Sequence, residues 1–281
     1  MAKTGSSFKN KVEEYFSAFS STYDKTMHER PRLVLARLKT LLDGIELPEN
    51  PVCLDVACGT GISTIGLAEK CRGNATIWGI DISEKMIDEA NKTVQRLRLG
   101  NIRYRVMDAE SLGFPDSTFD FVLCNMSIEY FSDKLRALSE MSRVLKKGGQ
   151  FALSYTGGPN NQEGFDIARA VAIRHPELPE LQRTVEERAN LISLEKSIEL
   201  FDQAGLSLTS IYGRHSIDWV DPSSLVSEQS NYWAIYRQAL PQEKVELIRS
   251  ELIEAARLVS VPDKGLKNTV YVIFAWGVRE E

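Results

Sequence analysis

Asp55, Asp81, Asp108 and Asn125 each stand at the carboxyl end of a short strand-like run, and Asp55 is followed by Val56-Ala57-Cys58-Gly59-Thr60-Gly61. That set points to a ligand carrying a nucleoside. Glycines where a strand turns into a helix let the backbone come close to a ligand, and the helix beyond offers unpaired N–H groups. Asp81 comes twenty residues after Gly61, a spacing at which a carboxylate takes both hydrogen bonds of a ribose diol. Asp108, with Ala109-Glu110 behind it, offers an acceptor for the exocyclic amino group of a base. Asp and Asn also favour turns, and a tight strand–helix turn needs glycine anyway. One such residue alone carries little weight. Four strand ends in succession carry more.

The elements that must position these residues alternate. Val52–Val56 reads as a strand and Thr60–Lys70 as a helix; Thr76–Ile80 is a second strand, and Ser83 caps a helix with Met86, Ile87, Ala90, Val94 and Leu97 on one face. Ile102–Met107 and Phe119–Cys124 read as strands. Asp133 opens a helix that Lys146-Lys147-Gly148-Gly149 should end, before a strand at Phe151–Tyr155. This alternation predicts an α/β fold with a parallel sheet covered on both faces. Further on, Gly157–Asn161 reads as a loop and 165–190 as a helix with a Pro-interrupted connection. Ser193–Ala204 is helical with Gly205 as its stop, Leu206–Tyr212 a sixth strand, 215–265 mostly helical with a stripe of Val245, Ile248, Leu252, Ala256 and Val259, and Asn268–Val278 a last strand. The expected organisation is a helical lid segment over 1–50 and one ligand-binding domain over 51–281, with helical insertions at about 157–190 and 215–265. The lid and insertions are the natural cover for the carboxyl edge of the sheet, where ligands sit in open α/β folds.

Bulk composition narrows the class. The chain has 281 residues, 43% hydrophobic and 26% charged, enough to bury a core without disulfides or metals. Its net charge is −5 and it lacks a long basic run, which argues against a nucleic-acid partner; Arg30, Arg32, Arg37 and Lys39 form the nearest basic cluster. Its four cysteines form no C-x-x-C pair, and its three histidines are spread apart, so no metal is expected. The polar start and the short longest apolar stretch, Val270–Trp276, predict neither a signal segment nor a membrane span, hence a cytoplasmic setting.

The run Asp55…Gly59-Thr60-Gly61 resembles motif I of class I S-adenosylmethionine (SAM)-dependent methyltransferases, especially the branch (methyltransferase type 11) that includes ubiquinone and menaquinone biosynthesis enzymes. Gly79-Ile80-Asp81-Ile82-Ser83…Met86 is similar to its second motif, and Asp108-Ala109-Glu110…Leu112-Gly113-Phe114 to its third. Phe119-Asp120-Phe121-Val122 and Leu145-Lys146-Lys147-Gly148-Gly149 look like later landmarks. Phe19-Ser20-Ser21-Thr22-Tyr23-Asp24 looks like a segment that closes over the cofactor. The likeness is strong over 52–155 and loose at 12–50 and 193–212. It implies a Rossmann-like fold with a seven-stranded, mostly parallel sheet and helices on both faces. The cofactor would be SAM, held by Tyr23, Asp55, Ala57, Gly59, Gly61, Asp81, Ile82, Met86, Asp108, Ala109, Glu110 and Asn125. The family often has a third glycine where this chain has Ala57, and one or two histidines where it has Glu129 and Tyr130.

The implied reaction moves the SAM methyl group to a small, partly apolar acceptor and leaves S-adenosylhomocysteine. The protein's main task is then to align the acceptor and exclude water. A general base is needed only where the acceptor must lose a proton; Glu129, Tyr130 and His215 are the candidates. Tyr155, Tyr212, Trp219 and Trp233 are available to line an acceptor pocket, although such aromatics often serve as core. Two other functions fit parts of the pattern. A nicotinamide-dependent oxidoreductase shares the glycine turn and Asp81, but its fingerprint wants glycine or alanine where Thr64 stands. A non-catalytic SAM-binding partner subunit would keep the cofactor motifs and never form S-adenosylhomocysteine.

Overall fold

The structure, a computed structural model, describes residues 3–28, 31–158, 161–189, 191–227 and 230–280; Arg30, Pro159, Asn160 and Asn190 of the segments above lie outside these. Two helices come first, α1 (Lys3–His28) and α2 (Pro31–Asp43). Then follow β1 (Val52–Val56), α3 (Ile62–Lys70), β2 (Thr76–Asp81), α4 (Glu84–Leu97), β3 (Ile102–Val106), β4 (Phe119–Asn125), α5 (Lys134–Val144) and β5 (Leu145–Thr156). The second half holds α6 (Gln162–Ile173), α7 (Pro179–Ala189), α8 (Leu194–Gln203), β6 (Leu206–Val220), α9 (Asn231–Gln238), α10 (Val245–Leu258) and β7 (Leu266–Arg279).

The strands form one seven-stranded sheet in the order β3-β2-β1-β4-β5-β7-β6, with β3–β2, β2–β1, β1–β4 and β4–β5 paired in parallel. The strands beside the switch in order are mostly apolar, Asp55, Asp120 and Asn125 apart, and Cys53, Leu54, Val56, Phe121, Val122, Leu123 and Cys124 are fully buried. That is the pattern of a sheet covered on both faces. The order reverses between β1 and β4, so the crevice for a ligand opens at the carboxyl ends of these two strands.

Local signals place the helices as expected. The Ser83 hydroxyl accepts from the Met86 N–H at 3.2 Å and the Asp133 carboxylate from the Arg136 N–H at 2.9 Å, each satisfying one orphan donor of a first turn. Gly205 ends α8 at φ 71°. At the amino end, Leu38, Leu41 and Leu42 of α2 are buried, and the Trp276 indole of β7 donates to the Leu41 carbonyl at 2.9 Å.

Three expectations need correction. The helix opened by Asp133 does end just before Lys146–Gly149, at Val144, but these residues are not a connection ahead of the strand: they lie inside β5, which begins at Leu145. Leu145 pairs with Phe119 and Gln150 with Phe121, so β5 bulges by several residues there, with Gly148 at φ 71° turning the chain. The sixth strand runs on to Val220, so 215–220 is strand rather than helix; the alternation of Ser216, Ile217, Asp218 and Trp219 is a period-two pattern. The α10 stripe is buried at Val245, Ile248, Leu252 and Ala256, whereas Val259, just past the helix, is 61% exposed.

By internal contacts the chain divides into two compact units, 1–155 with 194–212 and 273–281, and 156–193 with 213–272. The first holds the strand ends described above. The second has its own core, in which Val171, Leu181, Trp233, Ile248 and Ala256 are buried together. No described helix is long and apolar enough to cross a membrane.

Candidate functional site

After β1 the chain turns through three left-handed residues, Ala57 (φ 55°), Gly59 (φ 54°) and Gly61 (φ 90°), and enters α3. The turn is held by the Cys58 N–H donating to the Ile80 carbonyl at 2.9 Å and the Gly61 N–H to the Cys58 carbonyl at 3.0 Å. A Cβ on Gly59 would meet nothing within 4 Å, so only its φ calls for glycine, and the space beside it is open to a ligand. Alanine is strained at φ 55°. Ala57→Gly should therefore raise stability by about 1 kcal/mol, read as a higher urea midpoint at unchanged slope; a lower midpoint would mean the turn is not built this way.

Asp55 is 1% exposed and accepts from the Thr64 hydroxyl of α3 at 2.6 Å through Oδ2. Its Oδ1 is buried and has no hydrogen-bond partner. Burial pushes the Asp55 carboxyl up to about 7, against the Thr64 hydrogen bond, and the charge of Asp81 adds to the rise. An unpartnered buried carboxylate oxygen is costly, and a cationic ligand group is what would satisfy it.

Asp81 links the turn to the second strand. Its Oδ2 accepts from the Gly59 N–H and its Oδ1 from the Ser83 N–H, both at 2.9 Å. Burial raises its pKa and these N–H groups oppose the rise. Each carboxylate oxygen has a further lone pair, which leaves acceptor capacity for a diol. Ile82 is half-buried beside it. Met86 is buried on α4.

At the next strand end, Asp108 Oδ1 accepts from the Glu110 N–H at 2.9 Å, and Lys9 of α1 reaches Asp108 Oδ2 at 2.7 Å and Glu110 Oε2 at 2.6 Å. Glu110 is buried, and its Oε1 accepts from the Ser132 and Asp133 N–H groups at 2.8 and 3.1 Å, so it also braces the entry to α5. Ala109 between them is buried. Asn125 is spent on packing polar groups together: it donates to Ser63 Oγ at 2.9 Å and accepts from Ser154 Oγ at 2.6 Å, joining α3, β4 and β5.

Beyond Asn125, Met126 adopts φ 59° and Ser127 leads into a short 3-10 turn, Ile128–Tyr130. Glu129 and Tyr130 thus stand at the carboxyl end of β4. The Tyr130 ring meets Phe16 of α1 edge-on at 5.2 Å, and Phe16 meets Tyr23 at 6.5 Å. Ser17 of the same helix shares a hydrogen bond with Ser83 at 2.8 Å. Through Lys9, Ser17 and Phe16, α1 lies along the ends of β2, β3 and β4. His215 belongs to the second unit, exposed on β6, with its ring 4.4 Å from Tyr271. Tyr155 and Trp233 are each 1% exposed and act as core, whereas Tyr212 and Trp219 are 40% and 42% exposed.

Sequence reasoning passed over Thr64, Lys9, Ser17 and Tyr104. Thr64 was findable as the polar residue in the first turn of α3 that faces β1. Nothing in the sequence ties Lys9 to Asp108.

The sheet order, the left-handed glycine turn and the carboxylates at successive strand ends define a class I methyltransferase fold. Residues 54–153 match the family described as Methyltransferase domain. Aklanonic acid methyltransferase DauC of Streptomyces sp. strain C5 is 36% identical over 149 residues, covering 53% of this chain and 66% of that protein. Demethylmenaquinone methyltransferase of Listeria monocytogenes is 32% identical over 157 residues, covering 53% of this chain and 64% of that protein. The chain thus matches a little under two thirds of the length of these relatives. Among solved structures, the YcgJ protein of Bacillus subtilis superposes with a TM-score of 0.60 at 20% identity, over 88% of this chain and 99% of that one. Geranyl diphosphate C-methyltransferase of Streptomyces coelicolor, solved with S-adenosyl-L-homocysteine, gives 0.55 at 20% identity, over 91% and 83%. At such identities these structures establish the shared fold.

Proposed function

We propose that the protein is a methyltransferase that takes its methyl group from SAM and passes it to a small, partly apolar acceptor, releasing S-adenosylhomocysteine. The observation that carries this reading is the buried, unpartnered Oδ1 of Asp55 beside an open glycine turn, a fit for the ammonium of the methionine end. Asp81 would hold the ribose and Asp108 the adenine amino group, with Ile82, Ala109 and the Gly59–Gly61 backbone around them. Bound there, SAM supplies a methyl group already activated on a sulfonium. The residues of the chain align and shield; Tyr23 and Tyr130, tied to Phe16, help close the edge.

A small acceptor is favoured by the named substrates of the two relatives, aklanonic acid and demethylmenaquinone. The net charge of −5 disfavours nucleic acid. All four cysteines are free thiols, which suits a reducing cytoplasmic setting.

We assign proton removal from the acceptor to Glu129, placed at the end of β4. Glu129→Gln should lower kcat on the order of a hundredfold and leave the Kd for SAM within about twofold. A Glu129→Gln enzyme with wild-type kcat would remove Glu129 from the chemistry. The function itself is tested by incubating the protein and SAM with a panel of hydroxylated polycyclic and reduced-quinone acceptors and measuring S-adenosylhomocysteine. Turnover with any of them supports the reading. SAM binding with no product across the panel would favour a non-catalytic partner subunit.

A further inference from the structure

Asp55 of β1 pairs with Gly79 of β2, and Gly79 pairs with Tyr104 of β3. Side chains at registered positions of neighbouring parallel strands leave the sheet on the same face. Gly79 has no side chain, so the row has a gap at its middle, and the Tyr104 ring fills it. A Cβ on Gly79 would lie 2.5 Å from both Cδ1 and Cε1 of that ring and 3.0 Å from Cys58 Sγ. The far end of the ring reaches the turn after β1: a Cβ on Gly61 would lie 2.2 Å from the Tyr104 hydroxyl and 3.0 Å from its Cζ. One side chain therefore spans from the edge strand to the glycine turn. Burial raises the pKa of its phenol and keeps it neutral.

Both glycines are needed for this fit. At Gly79 the need is room alone. At Gly61 it is room together with a φ of 90°. Replacing the ring by a smaller group would free the turn on its Tyr104 side, and with it the start of α3 that carries Thr64.

We propose that Tyr104 is a positioning residue for the methionine end of the cofactor: its ring fills the gap over Gly79 and props Gly61, holding the glycine turn in its path beside the unpartnered Asp55 Oδ1. The proposal rests on the SAM reading above.

Calorimetric titration of the full chain with SAM and with 5′-methylthioadenosine, which keeps the nucleoside and lacks the amino-acid end, tests it. Tyr104→Leu should weaken SAM by about tenfold or more and 5′-methylthioadenosine by less than about threefold. Tyr104→Phe, which keeps the ring, should stay within about threefold of wild type for both ligands. Gly79→Ala, which displaces the ring without removing it, should repeat the SAM-selective loss, and it answers the question should the Leu variant not fold. Equal losses for both ligands in Tyr104→Leu and Gly79→Ala, no loss in either, or a Phe variant as weak as the Leu variant would overturn it. Failure of the wild-type chain to bind SAM at all would instead be the failure of the cofactor reading.

Discussion

Asp81→Ala should bind SAM about ten- to a hundredfold more weakly than the wild-type chain, a loss of roughly 1.5–3 kcal/mol. Two effects add. The variant loses the acceptor proposed for the ribose diol. It also frees the Gly59 and Ser83 N–H groups that Asp81 now holds at 2.9 Å each, so the turn and the start of α4 lose a common tie. Asp81→Asn separates the two effects, because its one carbonyl oxygen keeps one of these contacts. Calorimetry should place it between wild type and Asp81→Ala. Equal affinities for Asp81→Ala and wild type would mean that the ligand does not sit at this strand end.

Asp55→Asn should have opposite effects on binding and on folding. The Asp55 carboxyl is held near 7 in the folded protein, mainly by burial, against an ordinary value of 3.8. A raised carboxyl pKa means that the folded state binds the proton more tightly than the unfolded state. The contribution of Asp55 to stability is therefore most favourable below the ordinary value and is lost as pH rises from about 4 to about 7. Above pH 7 the buried charge costs the unliganded fold on the order of 4 kcal/mol. Asp55→Asn removes that charge, so the unliganded variant should melt at a higher temperature than wild type at pH 8, with the difference shrinking toward pH 5. SAM affinity should move the other way. The ammonium loses its carboxylate partner, and the Kd should rise about ten- to a hundredfold at pH 7.5. Wild-type affinity should fall as pH drops below 7 and the carboxyl takes up its proton, and this acid limb should be absent in Asp55→Asn. A variant less stable than wild type at pH 8, with an unchanged acid limb, would contradict the role given to Asp55.

Much of the fold is legible in the residues because β1 to β4 are short strand-like runs, mostly apolar in β1, β2 and β4, each with a polar residue at or just past its carboxyl end. Asp55, Asp81 and Asn125 fall within their strands and Asp108 just after one. The helix starts at Ser83 and Asp133 are equally local, since a cap needs only its own first turn. What could not be read depends on partners far off in the chain. The bulge in β5 arises from how Leu145 and Gln150 must both pair with β4, and two lysines and two glycines after a helix look like a stop until that register is known. The length of β6 was hidden because a half-exposed strand alternates weakly. In the site, the role of Tyr104 follows from the row Asp55–Gly79–Tyr104, which exists only once three strands are in register. Glu110 shows the converse. It sits inside a recognisable motif, yet much of its bonding goes to the Ser132 and Asp133 backbone.

The central claim is that this chain binds SAM at the carboxyl ends of β1, β2 and β3. Its most direct test is calorimetric titration of the purified 281-residue chain with SAM, followed by displacement with S-adenosylhomocysteine and a parallel titration with a nicotinamide dinucleotide. One saturable SAM site, emptied by S-adenosylhomocysteine and indifferent to the dinucleotide, is the predicted result. No saturable heat with SAM up to about millimolar concentration, or saturable binding of the dinucleotide in its place, would contradict the claim.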